Sequence, residues 1–327
     1  MAGARAMVDS PRRVRVAVVG TGVQGAKHVG KLRGRADCSL VGVYDTSREA
    51  AEHCAAGHAT HRFETLEEVA DAADAAIVAV PTRHHAEVGC RLLGAGLHLL
   101  VEKPLASSRR QARELLDAAE AAGRVLAVGH SEYFNSAARA LLDLDLDPGF
   151  VEAHRLAEFK PRSLDVDVVL DLMIHDLQIL HAMDSSEVAE VRASGLHVLT
   201  DRIDIASVRI EMASGCVANL TASRVSQEPV RKLRVFSRAG AYYALDYARR
   251  EVAGVVLERG DGGQRVVRSE LKVADGDALE EELRSFLAAC GGLPARIVDG
   301  AAGYQALDTA LTIIERLGEP KNLQEMR

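Results

Sequence analysis

The stretch VRVAVVGTGVQGAKH (14–28) decides the fold. Val14 to Val19 is a largely apolar run of strand length, and Gly20-Thr21-Gly22-Val23-Gln24-Gly25 ends it and opens a helical pattern. Glycines at these spacings serve a tight turn, a close approach of backbone to a pyrophosphate, and packing of the helix on the strand. The helix start adds amide donors and the positive end of its dipole. A lone G-x-G-x-x-G is a weak signal, since turn glycines produce it too. Here the strand-turn-helix context is present, and Asp45 ends the second apolar run twenty residues past Gly25, where a carboxylate can bind two ribose hydroxyls. Gly20, Gly22, Val23, Gln24, Gly25 and Asp45 are therefore the expected NAD contacts. Asp45 repels a 2′-phosphate and so favours NAD over NADP, with Arg48 as the neighbour pulling the other way.

Working outward, SLVGVYD (39–45), AAIVAVP (75–81), HLLVEKP (98–104) and RVLAVGH (124–130) repeat the pattern of the first run. Such runs suit a parallel sheet buried on both faces. Helical segments at 84–95 and 107–122 alternate with them, and Gly94, Gly96 and Gly123 stand where helices would end. Residues 14–129 are thus expected to form an α/β unit, a Rossmann doubly wound parallel sheet. Beyond residue 130 the pattern changes. A strand at 149–159 and a helix at 166–183 precede strand-like stretches at 187–199, 204–213, 216–225, 231–237 and 241–258, with closing helices near 277–290 and 301–317. Alternation in Val208-Arg209-Ile210-Glu211-Met212 predicts unlike faces, so residues 130–327 should form an α+β domain with a mostly antiparallel open sheet.

A length of 327 residues suits about two domains, and 48% apolar with 27% charged residues is the composition of a soluble globular chain. Forty Lys and Arg against 47 Asp and Glu give a net charge of −7, and aromatic residues make up only 4%. A nucleic-acid surface is therefore not expected. Cys38, Cys54, Cys90, Cys216 and Cys290 are scattered and never spaced as C-x-x-C, which speaks for a reducing compartment and against a disulfide framework or a metal cage. The first residues lack the apolar segment of a secretory signal, and no stretch approaches about 20 apolar residues. The expectation is a cytoplasmic protein with no membrane partner.

Three features carry chemistry. Lys103 follows strand four, and ligands of doubly wound sheets sit at the carboxyl ends of strands; the alternative is a plain surface lysine in a loop. In Val168–Leu180, apolar almost all round, Asp171, His175 and Gln178 recur at i, i+4 and i+7. They are either a satisfied polar pair in the core or a stripe facing a wet cleft. Arg224, Arg231, Lys232 and Arg234, expected on adjacent strands, with Arg155 and Arg162 flanking the strand before the polar helix, could hold a diphosphate. A solvated strand face or an oligomer contact would account for them equally.

Taken together, Gly20 to Gly25 with His28, Val80-Pro81-Thr82 with His85, Glu102-Lys103-Pro104 and Gly129-His130 resemble the glucose-fructose oxidoreductase/inositol dehydrogenase (Gfo/Idh/MocA) family over nearly the whole chain. The resemblance implies a nucleotide-binding domain followed by a substrate domain whose open sheet often mediates homo-oligomers, dimers or tetramers. It also implies cofactor contacts from Pro81, Thr82, His85, Glu102 and Lys103, with Lys103 beside the nicotinamide, and Asp171 and His175 pointing at the reacting carbon. GHSEYFNSAARAL (129–141), residues 152–180 and ASRVSQEPVRKLRVF (222–236) resemble most the members that oxidise the 3-hydroxyl of UDP-N-acetylglucosamine. Tyr133, Ser136 and Gln227-Glu228-Pro229 depart from that pattern.

The implied activity is oxidation of a secondary alcohol to a ketone, in which a proton leaves oxygen as a hydride leaves carbon. A group titrating near neutrality suits the proton step, so His175 is the candidate base. Lys103 would stabilise the developing charge on oxygen, and Asp171 would orient the network. Lys103 and His175 could exchange roles. Asn135, Arg155, Arg162, Arg224 and Arg231 join them as substrate-side candidates, and no metal is required. Other readings stand beside this one: a dehydrogenase or reductase of another sugar, a polyol, a ketone or an imine, and a non-catalytic nucleotide-sensing regulator of the same fold.

Overall fold

The computed structural model describes residues 13–160, 166–260 and 263–318. The first part runs β1 (Val14–Val19), α1 (Val23–Leu32), β2 (Cys38–Tyr44), α2 (Arg48–His58), α3 (Leu66–Ala72), β3 (Ala75–Val78), α4 (His85–Gly94), β4 (His98–Glu102), α5 (Arg109–Ala122) and β5 (Leu126–Gly129). Its five strands are all parallel, in the order β2-β1-β3-β4-β5. Period-two alternation splits each strand between two cores. On β1, Ala17 and Val19 face α3, α4 and α5, whereas Val16 and Val18 face α1 and α2. Both faces being covered, Val16 to Val19 are fully buried, which is why the run reads as continuously apolar.

The order of strands places the topological switch between β1 and β3. Gly20, just past β1, is pressed against the end of β3 there: a Cβ on it would stand 2.6 Å from the carbonyl carbon of Ala79, at a φ of +93°. Ser47, Thr65 and Ser108 cap α2, α3 and α5 by accepting a backbone N–H with their side-chain oxygen.

The second part runs α6 (Ser136–Leu142), β6 (Pro148–Leu156), a π-helical turn at Val169–Met173, α7 (Ile174–Met183), β7 (Val188–Leu196), β8 (Ile205–Met212), β9 (Val217–Ser223), β10 (Val230–Ser237), β11 (Ala241–Asp246), β12 (Glu251–Gly260), β13 (Gly263–Glu270), α8 (Ala278–Cys290) and α9 (Gly300–Leu317). Eight strands form one sheet, β13-β12-β11-β10-β6-β9-β8-β7, antiparallel except for β6 beside β9. Its inner face, including Val151, Val208, Leu220, Leu233 and Leu245, packs under α6, α7 and α9. The outer face carries polar side chains and an aromatic row, Phe150 against Phe236 and Phe236 against Tyr242.

Three differences from the sequence reading have physical causes. The expected strand 241–258 is a hairpin, broken at a turn where Arg250 takes a left-handed conformation of φ 56°. β13 was not anticipated, because its side chains are mostly exposed and show no clean alternation. The expected helix 166–183 begins as the π turn, in which the Ile174 N–H reaches back to the Val169 carbonyl.

The closing helices serve both sheets. Leu283, Phe286 and Leu287 of α8 join the core beneath Val16, Val18 and Leu100, and α9 contributes Leu307 to the first domain's core and Ala306, Ala310 and Ile313 to the second. All five cysteines are free thiols.

Candidate active site

The glycine loop is held from β2. The Gly20 N–H donates to the Tyr44 carbonyl at 2.8 Å, and both the N–H and the hydroxyl of Thr21 donate to Asp45 Oδ2, at 2.7 and 3.0 Å. Ser47 N–H occupies Asp45 Oδ1 at 2.9 Å. A carboxylate has about four lone-pair sites, so Asp45 keeps acceptor capacity for a ribose.

At Gly25 a Cβ would lie 1.8 Å from the Gly20 carbonyl oxygen, whereas at Gly22 it would meet nothing within 4 Å. The loop is closed toward the protein and open outward. Gly22 starts α1 without a side-chain cap, and Val23, an apolar residue at the mouth, is 68% exposed. Uncapped amides at a helix start, a glycine cradle and an exposed apolar wall fit a dinucleotide. Arg48 is turned away onto Glu52 at 2.7 Å.

Two buried histidines brace the far side of the crevice. His85 has Nδ1 2.9 Å from the Pro104 carbonyl and Nε2 2.9 Å from that of Val80, which joins the Pro81-Thr82 loop to the loop after β4. His28, four residues into the chain beyond Gln24, has its Nε2 2.7 Å from Glu102 Oε1. Burial acts to raise the Glu102 carboxyl, but His28 outweighs it and holds the group below its ordinary value. His85 and Glu102 are thus placed as braces of the crevice wall, whereas Pro81 is exposed and Thr82 half-buried at its rim.

Lys103 reaches across to the second domain. Its Nζ donates to the Asp171 carbonyl at 2.6 Å and lies 3.3 Å from the Asp171 carboxylate. Asp171 sits in the π turn, so its carboxylate meets Lys103 and makes no hydrogen bond with His175 among the described residues. Gln178, the third member of the expected stripe, turns inward and is 3% exposed.

His175 is half-buried, its Nδ1 has no hydrogen-bond partner among the described residues, and its ring stands edge-on to His130 with centroids 5.7 Å apart. Burial, then the Lys103 charge, then Arg155 push the His175 imidazole well below its ordinary value, so it stays neutral. His130 is pushed down to about 3 by burial and by Lys103. The sequence reading did not include His130 among site residues, although its place at the carboxyl end of β5 is where ligand-facing groups collect.

The arginine cluster is corrected by the sheet. Arg224 follows β9 and Arg231 opens β10, with β6 between these strands, so they are not on neighbours. The pleat then sends Lys232 and Arg234 to the outer face, where they pair with Asp246 and Glu152, away from Arg231.

Arg155 and Arg224 are 3% and 5% exposed. Arg155 donates to both carboxylate oxygens of Asp176, at 2.8 and 2.9 Å, and lies over the Tyr247 ring. Arg224 donates to the carbonyls of Val166 and Ile203 and stands 3.5 Å from Asp204. Both guanidinium groups are committed inside the fold. Asn135 is likewise engaged: its oxygen caps α6 and its amide donates to the Tyr247 carbonyl at 3.1 Å. Arg231, with 46% of its side chain exposed and its guanidinium paired with Glu132 at 3.2 Å, is the arginine of the set left open on the inner side among the described residues. Arg162 lies outside the described residues.

A parallel sheet with a glycine loop at its switch point and a lysine at a neighbouring strand end, facing an imidazole held by a second domain, defines a dinucleotide-dependent oxidoreductase. Residues 14–130 match the oxidoreductase family with an NAD-binding Rossmann fold (GFO_IDH_MocA), and residues 110–243 match the GFO/IDH/MocA C-terminal domain. The chain belongs to this family.

It is 36% identical over 301 residues to UDP-N-acetylglucosamine 3-dehydrogenase of Acidithiobacillus ferrooxidans, covering 90% of this chain and 95% of the relative. A solved structure of that dehydrogenase matches with a TM-score of 0.86 at 34% identity, covering 94% of this chain and 98% of the other. Inositol 2-dehydrogenase of Rhizobium meliloti is 26% identical over 95% of this chain and 98% of its own length. The protein is therefore an NAD-binding oxidoreductase of the class that acts on CH–OH groups.

Proposed function

We propose that the chain oxidises the 3-hydroxyl of a UDP-linked N-acetylhexosamine, UDP-N-acetylglucosamine foremost, to a ketone. The observation that carries this is the 2.6 Å tie from Lys103, at the end of the NAD-binding sheet, to Asp171, four residues before the neutral His175. It sets a cation donor and a proton acceptor at the same opening. The relative of 36% identity named for that reaction supplies the choice of sugar.

Backbone amides of Gly20, Gly22, Val23, Gln24 and Gly25 would hold the pyrophosphate, and Asp45 the adenosine ribose. Pro81, Thr82, His85 and Glu102 would shape the crevice wall. Asp45 at the ribose, with Arg48 engaged by Glu52, favours NAD over NADP. When bound, NAD supplies the acceptor for the hydride that leaves the sugar carbon.

The protein's own part is electrostatic and protolytic. The Lys103 ammonium donates to the alcohol oxygen and stabilises its developing negative charge. His175, neutral, accepts the hydroxyl proton. Asp171 holds Lys103 in place before substrate arrives, and Arg231 is positioned to meet the diphosphate. Dimers or tetramers would form through the outer face of the eight-stranded sheet, where Phe150, Phe236 and Tyr242 stack.

The test is NAD reduction by UDP-N-acetylglucosamine, beside free myo-inositol and UDP-glucose, with an aminotransferase present to remove the ketone. Reduction with the first alone supports the reading; reduction with inositol alone would move the substrate to a free polyol.

A further inference from the structure

The inner face of α8 is apolar at Leu283, Phe286 and Leu287 but carries Glu282, 2% exposed. Both of its carboxyl oxygens are buried, and neither has a hydrogen-bond partner among the described residues. A leucine would fill such a place without the cost of removing a carboxylate from water, so packing alone does not account for a glutamate here.

The neighbouring buried polar group is the pair between Glu102 and His28, 2.7 Å apart, and the Nδ1 of His28 is also buried without a partner. Leu100, two residues before Glu102 and on the same face of β4, packs in one core with Leu283 and Phe286 of α8. The Glu102 carboxyl therefore stands on the side of the sheet that α8 covers, and its charge acts on Glu282. Of the other charged groups nearby, Lys31 on α1 is spent at the surface on Asp277 and Glu280, and Arg284 pairs with Glu281 on α8 itself.

Two carboxyls in one apolar enclosure do not ionise together. Burial, then Glu102, push Glu282 well above the ordinary glutamate value, while His28 keeps Glu102 below it. The proton therefore resides on Glu282 and the negative charge on Glu102.

We propose that Glu282 is a positioning residue for Lys103: as a neutral acid it allows Glu102 to remain seated on His28, which fixes the strand end that carries Lys103. Ionisation of Glu282 at alkaline pH sets two like charges against each other and loosens that end. The link to turnover rests on the dehydrogenase reading above; the buried acid itself does not.

The experiment uses the full chain, Glu282→Gln and Glu282→Leu. In the absence of substrate, melting temperature is followed against pH. An acid whose value is raised in the folded state gives stability that is full below the unfolded value near 4.5 and is lost as pH rises toward the folded one. The wild type should thus lose ground to both variants with rising pH, by up to about tenfold in the unfolding constant per pH unit within that window.

Where turnover is measured, Glu282→Gln should extend the alkaline limb of kcat upward with KM for the sugar unchanged. A melting difference that does not vary with pH overturns the proposal whatever the activity. A pH-dependent difference with an unmoved alkaline limb in active enzyme overturns the positioning role. A pH-dependent difference in a chain that never reduces NAD supports the neutral acid and instead removes the dehydrogenase reading. If the glutamine variant does not fold, the leucine variant carries the same comparison.

Discussion

Lys103 and Asp171 meet across the two domains, with the lysine Nζ 2.6 Å from the aspartate's main-chain oxygen and 3.3 Å from its carboxylate. The pairing depends on the π turn, which carries Asp171 toward the end of β4. It brings one polar group from each sheet's side of the molecule into direct contact.

Lys103→Met should lower kcat by about 10²–10⁴-fold, the range usual for a group that donates to developing charge or moves a proton. NAD should still bind, as followed by quenching of NADH fluorescence. The tie is partly exposed, so melting temperature should fall little, consistent with about 1 kcal/mol or less for such a pair. Loss of NAD binding together with turnover would place Lys103 in the cofactor site alone.

Arg155 and Asp176 form a buried, two-pronged ion pair, and burial lifts the Asp176 carboxyl above its ordinary value against the pull of Arg155. Arg155→Met leaves that carboxylate uncompensated and should cost about 3–5 kcal/mol in urea unfolding. Arg155→Met combined with Asp176→Leu should recover most of the loss. A diphosphate-binding arginine would behave differently, raising KM for the sugar nucleotide with little change in stability; that result is predicted for Arg231→Ala.

Asp45→Asn should weaken discrimination between NAD and NADP and loosen Thr21, which spends two donors on the carboxylate. The expected readout is a fall of at least about tenfold in the ratio of kcat/KM for the two cofactors, since one charge–charge preference at this distance is worth at least about 1.4 kcal/mol. An unchanged ratio would assign the preference elsewhere in the crevice.

His130 and His175 are both neutral in the folded protein, because burial and Lys103 depress them. The unfolded chain binds protons on these rings below about 6.5, while the folded His130 resists down to about 3. Stability from them is therefore present above 6.5 and lost progressively as pH falls through that window. His130→Gln should flatten the acid side of the melting curve against pH, and the acid limb of kcat/KM in the wild type should lie below 6.5.

Much of this was legible in the sequence where local pattern and fold constrain each other. The glycine loop, Asp45, Lys103 and the alternation of β8 follow from strand length, period and the rule that crevices lie at strand ends. What was not legible depends on three-dimensional order. Spacing placed Asp171, His175 and Gln178 on one stripe, but a single π turn changes the phase of the helix, and nothing in Val169–Met173 announces it. The arginines read as one cluster because they are close in sequence, whereas strand order and pleat separate Arg224, Arg231 and Arg234. Arg155 looked available for a diphosphate because its partner, Asp176, sits on another element and reads as one more polar residue beside His175. Glu282 is hidden for the same reason: on a helix rich in glutamate, which of them is buried is decided by the packing of Leu283 and Phe286 against a sheet far earlier in the chain.

The most direct measurement uses UDP-N-acetylglucosamine deuterated at carbon 3, with mass spectrometry of the reduced cofactor. The account predicts NADH heavier by one mass unit and a sugar nucleotide carrying a 3-ketone, both lost in Lys103→Met. Reduced cofactor without deuterium, or none formed with an aminotransferase present, would contradict it.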